Sequence, residues 1–261
     1  MQNIFEPLTN AFRKNNGFLE HEKLYSIIKR YTRLFEDEAI IAELLQASGY
    51  PIEEKINGYL YKPMHTPYNQ QEYVIIDIET NGSKPGRSQV IEIGGVKVKN
   101  GKIIDRLETF VHCAYIPQNI SELTGIDTKD LIDAPSRKEA LIMLKNFMQD
   151  AIFVAHNVNF DYTFLSASFK RFGLGCIGNI RLCTIELAKR TIDSQKYGLA
   201  ALCETLNIPM QSHHRAYSDA LCSWQIMKYS LKNLPPYVKS ADDLVLFSKS
   251  SKKERKAKTK V

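Results

Sequence analysis

Apolar residues recur at two different spacings along residues 73–232, and these spacings predict strands and helices. Three strand-like runs come first, at 73–78, 90–99 and 102–111, and Asn100-Gly101 is a typical hairpin turn between the last two. The following segments alternate between short apolar strands and amphipathic helices, at 135–148, 151–155, 161–172, 180–183, 184–190, 198–206 and 218–231. An antiparallel meander followed by βα units predicts an α/β domain whose mixed sheet carries helices on both faces.

The first 70 residues predict a separate, small and mainly helical module. Apolar residues recur at helical spacing in two stretches between Leu19 and Ala47, and the Asn57-Gly58 turn then leads into a short Tyr-rich strand. Helices followed by a hairpin resemble a winged-helix module. Residues 1–70 contain eight Lys or Arg and nine Asp or Glu, a balance that argues against duplex binding and favours protein docking or extension of the core.

The net charge of +6 is concentrated in the last residues of the chain. The segment 249–260 holds seven of the 35 basic residues and one of the 29 acidic ones, so the charges of the remainder balance. Such a segment is predicted to be disordered, and it would either attract phosphates without sequence preference or only increase solubility. With a polar linker at 64–72, the predicted divisions are 1–70, 71–235 and 236–261.

The composition does not suggest a membrane protein or a protein built on disulfides or a cysteine-bound metal. No window reaches the 18 or so apolar residues that a membrane span needs, so we expect a cytoplasmic protein without a membrane partner. The five cysteines are odd in number and none forms a CxxC pair, which suggests neither a disulfide framework nor a zinc site.

Four carboxylates stand at the ends of predicted elements: Asp77, Glu79, Asp161 and Asp219. Each one alone is ordinary, since an acid at a strand end meets water and an acid in the first turn of a helix is favoured by the helix dipole. Asp77 and Glu79, two residues apart on a strand, should nevertheless present their carboxylates to one face. Together the four acids suit hard cations such as Mg²⁺ or Mn²⁺, and two ions about 4 Å apart would stabilise an in-line phosphodiester displacement.

Three short motifs identify a family resemblance. DIET at 77–80, HNVNFD at 156–161 and HRAYSD at 214–219 resemble, in this order, the three exonuclease motifs of the DEDD family, in the subgroup with a histidine base. The intervening VIEIGGVKVKNGKIIDRLETFV and ISELTGI are similar to the proofreading epsilon subunit of bacterial DNA polymerase III and its relatives. The resemblance covers about residues 73–232 and implies a ribonuclease-H-like fold and a 3′-to-5′ exonuclease using two divalent cations, Mg²⁺ or Mn²⁺.

The resemblance also implies the roles of the catalytic residues. Asp77 would bridge both metal ions, Glu79 and Asp219 would complete the first site, and Asp161 would hold the second. His214 would take the proton of the attacking water, which is reasonable because imidazole is a common general base in catalysis. Arg215 stands where the other subgroup has tyrosine. His213 is an alternative base by chemistry, and only the spacing to Asp219 favours His214.

Substrate contacts and partners follow from the same resemblance. The positions that would lie against the 3′-terminal nucleotide are Ile78, Thr80, the loop residues Leu123, Thr124, Gly125 and Ile126, and Asn157 and Phe160, although Phe160 is as typical of a core. A single strand of DNA would lose 5′-monophosphates from its 3′ end. The expected partner is the catalytic subunit of a replicative DNA polymerase, because no polymerase domain fits in the remaining length. Stand-alone RNA processing or DNA repair is the alternative, and an inert adaptor is disfavoured by the complete set of five catalytic residues.

The segment DDLVLF at 242–247 has two interpretations. It resembles the short peptide with which proteins bind the sliding clamp, but Asp243 stands where the usual glutamine would be. Alternatively, Ser240 and Asp243 form a capping box that starts a short helix, with Leu244 and Phe247 packed on the domain. We favour the helix.

Overall fold

The computed structural model describes residues 4–31, 38–210, 214–251 and 254–255. The helices are α1 Phe5–Lys14, α2 His21–Lys29, α3 Glu38–Ala47, α4 Lys62–His65, α5 Gln118–Thr124, α6 Arg137–Met148, α7 Val158–Arg171, α8 Thr184–Thr191, α9 Leu199–Thr205, α10 Ala216–Lys232 and α11 Ala241–Lys249, with a 3₁₀ turn at Thr128–Leu131. The strands are β1 Phe18–Glu20, β2 Ile52–Lys55, β3 Gly58–Tyr61, β4 Tyr73–Thr80, β5 Val90–Lys99, β6 Lys102–Phe110, β7 Ile152–Ala155 and β8 Arg181–Cys183. Within these ranges, no helix combines the length and the apolar character of a membrane span.

The central sheet has five strands in the order β6-β5-β4-β7-β8. Strands β4, β5 and β6 form an antiparallel meander. Strand β7 pairs with β4 in parallel, and β8 pairs with β7 in parallel. The predicted mixed sheet is confirmed, and Asn100 and Gly101 make the hairpin turn with positive φ, as their residue types favour. Helix α7 connects β7 to β8 and provides the crossover that two consecutive parallel strands need.

Successive residues of β4 enter two different cores. Val74, Ile76 and Ile78 pack with α6 and α7 on one face of the sheet. Tyr73 and Ile75 face the opposite side, where they pack with residues of α10 and α11. Since side chains alternate along a strand, the residues that follow Ile75 on this second face are Asp77 and Glu79. The row of side chains therefore changes from apolar to acidic where β4 approaches the start of α10.

The N-terminal module combines α1–α3 with a three-stranded antiparallel sheet in the order β1-β3-β2. Helix α1 and strand β1 were not predicted, and the two predicted helices between Leu19 and Ala47 correspond to α2 and α3. The module has its own aromatic-rich core, and Ile180 packs against both this core and that of the second sheet face. Arg13 of α1 donates two hydrogen bonds to the buried carboxylate of Asp242 in α11, at 2.8 and 2.7 Å. The winged-helix interpretation and the predicted divisions stay predictions.

The segment 242–247 is helical, as the capping-box interpretation predicted. Ser240 accepts a hydrogen bond from the Asp243 amide at 3.0 Å, and the Asp243 carboxylate accepts one from the Ser240 amide at 2.9 Å. Leu244 and Phe247 are buried in the core of the second sheet face, and Leu246 is exposed. Clamp binding as an extended peptide would require this helix to leave the core. Most of the predicted disordered segment 249–260 lies outside the described residues.

Candidate active site

Asp77 and Glu79 extend from the second face of the sheet near the carboxyl end of β4. Both are half-buried, whereas Ile78 between them points into the core of the opposite face. In the antiparallel register, Asp77 lies opposite Gly94 and Glu79 lies opposite Glu92 of β5. The rigid strand therefore fixes the separation and direction of the two predicted catalytic carboxylates.

Asp161 reaches the same region from the first turn of α7. Asn157 begins this helix in the left-handed conformation, with φ of 69°, so the chain turns sharply at the end of β7. The Asp161 side chain is buried, and burial raises the pKa of its carboxyl, while hydrogen bonds from the backbone amides of Asp161 and Ile78 lower that pKa. The bond from Ile78 places the first turn of α7 directly beside β4.

Asp219 comes from the first turn of α10, which packs unusually close to the sheet. A Cβ atom on Gly94 would lie 2.1 Å from the Tyr217 nitrogen, so only glycine permits this approach of the helix to β5. His214 precedes the helix and has φ of 58°, in the left-handed region. The result is that Asp219 and His214 both lie beside the acidic end of β4.

The structure brings Glu79, His214 and Asp219 into one group. A carboxylate oxygen or ring nitrogen from each lies within 4.8 Å of the others. His213, the alternative base, is in the segment 211–213, outside the described residues. By position, His214 is thus a neighbour of two of the three predicted ligands of the first metal site, and its role as the base stays a prediction.

The carboxylates strongly disfavour ionisation of one another. Burial and then the charges of Asp161, Asp219, Glu79 and Glu92 raise the pKa of Asp77 well above its usual range. Burial and then the charges of Asp219 and Glu92 raise the pKa of Glu79 to about 7, although Arg215 lowers it. Negative charges this close need a cation. The donor set, mostly carboxylate oxygens, fits hard divalent ions such as Mg²⁺ or Mn²⁺.

Glu92 is a residue near the site that the sequence reasoning did not single out. Its side chain is 1% exposed, yet it ion-pairs with Arg215 at 2.9 Å. An acid inside the apolar run VIEIGG was the available signal, because a buried carboxylate needs a specific partner.

His156, the first residue of the second motif, has a structural role, because both of its ring nitrogens are hydrogen-bonded to other parts of the fold. The Tyr197 carbonyl can only accept, so His156 Nε2 donates to it at 3.1 Å, and Nδ1 lies 2.8 Å from the Thr184 hydroxyl. Burial lowers the pKa of His156 to about 4, so its ring is neutral at physiological pH. This histidine links the end of β7 to the first residue of α8 and to the segment before α9.

The predicted substrate contacts on β4 and α7 differ in exposure. Ile78 is buried, and the Thr80 hydroxyl donates to the Gly82 carbonyl at 2.9 Å. Asn157 is exposed, and so is Phe160, whose ring stands 5.0 Å from that of Phe164. Phe160 is 38% exposed and its ring packs on Phe164 of the core, so it lies at the edge of the core and its contact with substrate stays a prediction.

The predicted loop at 123–126 is the end of a helix instead. Leu123 and Thr124 are the last residues of α5, and Gly125 ends the helix with φ of 68°, a conformation that glycine adopts without strain. Thr124 and Ile126 are buried, whereas Leu123 is 53% exposed. Of the side chains of Leu123, Thr124 and Ile126, that of Leu123 has the most exposed surface for contact with a substrate.

Comparison with known proteins places this site in a family. The RNase_T family model, described as an exonuclease, matches residues 74–227. This chain belongs to the RNase_T exonuclease family. The match contains all four carboxylates and His214, and the predicted DEDD-family resemblance is confirmed.

Curated relatives of this RNase_T exonuclease include large polymerases. The DNA polymerase III PolC-type protein of Caldanaerobacter subterraneus is 40% identical over 165 residues, which are 62% of this chain and 12% of that protein. The corresponding protein of Staphylococcus saprophyticus is 36% identical over 177 residues, 67% of this chain and 12% of its own length. The chain thus spans about an eighth of the length of these relatives.

Solved structures confirm the ribonuclease-H-like fold. E. coli exonuclease I in complex with a dA16 oligonucleotide superposes with a TM-score of 0.58 at 16% identity, covering 64% of this chain and 42% of that one. Exonuclease X in complex with 5′ overhanging duplex DNA gives a TM-score of 0.50 at 24% identity, covering 67% of this chain and 99% of that one.

Proposed function

We propose that this protein is a two-metal-ion 3′-to-5′ exonuclease that releases nucleoside 5′-monophosphates from single-stranded 3′ ends of DNA. The observation that carries the proposal is the convergence of Asp77, Glu79, Asp161 and Asp219 at one end of the sheet, with His214 beside two of them. Such a cluster of carboxylates has no structural use without cations, and the family match supports phosphodiester hydrolysis as the use of those cations.

Different residues of the site would bind the metal ions, accept the proton and position the substrate. Asp77, Glu79 and Asp219 would hold one divalent ion, and Asp77 with Asp161 the other; when bound, the ions supply charge stabilisation to the attacking and leaving oxygens. His214 accepts a proton from the water whose oxygen attacks the terminal phosphorus. The bond from phosphorus to the O3′ of the preceding nucleotide breaks with its electron pair on O3′, which takes up a proton from solvent to become the new 3′-hydroxyl, and the phosphate leaves with the 3′-terminal nucleoside as a 5′-monophosphate. The backbone of β4 and the exposed side chains of Phe160 and Leu123 would position that nucleotide.

DNA is the proposed substrate because the relatives act in that context. Exonuclease I and exonuclease X were each solved with DNA, and the curated relatives are DNA polymerases. We propose that the exonuclease removes misincorporated nucleotides for a replicative polymerase catalytic subunit. The sliding clamp is a weaker candidate partner, because the segment 242–247 is folded into the core as a helix.

A primer-degradation assay tests this proposal. A 5′-labelled DNA strand, matched or mismatched at its 3′ end when annealed, and an RNA of the same sequence are incubated with the protein and Mg²⁺. We expect a ladder that shortens from the 3′ end, release of 5′-monophosphates, faster removal at a mismatch, and no reaction with EDTA or in Asp77→Asn. Faster degradation of RNA would favour RNA processing, and no Mg²⁺-dependent shortening of either strand would refute exonuclease activity.

A further inference from the structure

A buried ion pair joins the central sheet to the segment that carries His214 and Asp219. Glu92 of β5 is almost fully buried, and it accepts hydrogen bonds from Arg215 Nε at 3.1 Å and Arg215 Nη2 at 2.9 Å. Its other oxygen accepts the backbone N–H of Ala216 at 3.0 Å. All three bonds go to two consecutive residues at the start of α10, so one carboxylate holds both the side chain and the backbone there.

The position of this pair in the sequence relates it to the active site. Arg215 directly follows His214, and Ala216 lies three residues before Asp219. On the sheet, Glu92 is the cross-strand neighbour of Glu79, so the pair starts beside the acidic end of β4. The Arg215 guanidinium also stands 5.3 Å from the centre of the Phe110 ring, which restricts it from a further side.

The backbone at His214 is one that needs support. A φ of 58° is unusual for a residue other than glycine, although histidine tolerates it better than branched residues do. Strained backbone persists where the surroundings hold it, and here the hydrogen bonds of the next two residues do so. The backbone of Ala216 and Tyr217 also packs directly on Gly94 of β5, so the start of α10 cannot move closer to the sheet.

We infer that Glu92 and Arg215 are positioning residues that fix His214 and Asp219 at the catalytic distance from Glu79. Neither residue reacts; the pair sets where the base and the ligand stand. The inference rests on the proposed function. Because an error of about 1 Å in such a position can reduce the rate on the order of 100-fold, the pair should matter for turnover more than for substrate binding.

A second ion pair in the same chain supplies a matched control. Arg13 and Asp242 also join a partly exposed guanidinium to a buried carboxylate through two hydrogen bonds, with side-chain exposures of 24% and 4% against 38% and 1% for Arg215 and Glu92. That pair links α1 to α11 and contacts none of the predicted catalytic residues in the described structure. Its loss should therefore affect stability without affecting turnover.

The test compares kcat, KM and the melting temperature of Arg215→Met, Arg215→Lys, Glu92→Gln and Arg13→Met on single-stranded DNA with Mg²⁺. We expect Arg215→Met and Glu92→Gln to lower kcat on the order of 100-fold with KM within about twofold of wild type. Arg215→Lys keeps the charge but loses the paired geometry, so it should recover about a tenth of the wild-type kcat. Arg13→Met should lower the melting temperature and leave kcat unchanged.

Three results would overturn the inference. The first is a wild-type kcat in Arg215→Met, and the second is a rise in KM alone, which would make Arg215 a substrate contact. If the methionine variant does not fold, Arg215→Lys decides, because full activity in that variant would show that the paired geometry is not needed. A wild-type protein without activity on any strand would instead refute the proposed function and the inference with it.

Discussion

Glu79→Gln should stabilise the metal-free protein at alkaline pH, although it removes a residue proposed to be essential. Burial and the charges of Asp219 and Glu92 raise the pKa of Glu79 from 4.5 to about 7. Below pH 4.5 the Glu79 carboxyl is protonated in both the folded and the unfolded chain. As the pH rises from about 4.5 to about 7, the unfolded chain ionises this group freely whereas the folded protein resists its ionisation, so the free energy of unfolding falls, and the loss is complete once the pH has passed 7.

The size of the effect follows from the two pKa values of Glu79. The difference between them corresponds to about 3 kcal/mol of unfolding free energy. Most of this contribution to stability is still present at pH 5, and all of it is lost by pH 8. For a chain of 261 residues that is about 5 °C in melting temperature. Glutamine carries no charge, so the variant should melt close to wild type at pH 5 and about 5 °C above it at pH 8.

Differential scanning fluorimetry in EDTA at pH 5 and pH 8 measures this difference. Glu204→Gln, an exposed position on α9, is the matched control and should change neither melting temperature. Adding Mg²⁺ at pH 8 should raise the melting temperature of wild type more than that of Glu79→Gln, because the variant lacks a ligand. An equal gain for Glu79→Gln at both pH values would refute the electrostatic reasoning.

Three other substitutions test the substrate contact, the helix approach and the module interface. Phe160→Ala should raise KM for single-stranded DNA by about tenfold, because base stacking on an aromatic ring contributes about 1–3 kcal/mol; an unchanged KM would remove Phe160 from the substrate site. Gly94→Ala should cost about 3 kcal/mol of unfolding free energy in urea, since its Cβ would overlap the Tyr217 backbone; wild-type stability would contradict that contact. Asp242→Asn should cost about 3 kcal/mol by leaving Arg13 without its charge partner, with exonuclease activity retained at low temperature; a loss below about 0.5 kcal/mol would show that the pair is only a surface interaction.

The central sheet was predictable because its local signals agree with its tertiary role. Alternation and the Asn100-Gly101 turn located the meander, with β5 matching the predicted 90–99. Helix α7 begins earlier than predicted, at Val158, because Asn157 supplies the left-handed turn that starts it. That conformation depends on the geometry at the end of β7, which residue spacing does not encode.

Short elements were missed where tertiary packing, and not periodicity, stabilises them. Helix α5 has only seven residues, too few to show a helical period, and Gly125 was the single sign of its end. Helix α1 is a different case, because Ile4, Leu8 and Phe12 do recur at helical spacing and are buried in the module core, but the sequence prediction of helices began only at Leu19.

The family was predictable because three motifs in a fixed order carry the resemblance, and the proposed catalytic residues follow from those motifs. The partner of Glu92 was not predictable: an acid inside the apolar run VIEIGG indicates that some partner is needed, but only the fold brings Arg215 to it and only the strand register places it opposite Glu79. A pair of residues 123 positions apart leaves no mark in a single sequence.

A crystal grown with Mn²⁺ and a nucleoside 5′-monophosphate tests the central claim most directly, through the anomalous scattering of the metal. We expect two peaks about 4 Å apart, one between Asp77, Glu79 and Asp219 and one between Asp77 and Asp161, with the phosphate beside both. Peaks elsewhere, or none among these four carboxylates at saturating Mn²⁺, would contradict it.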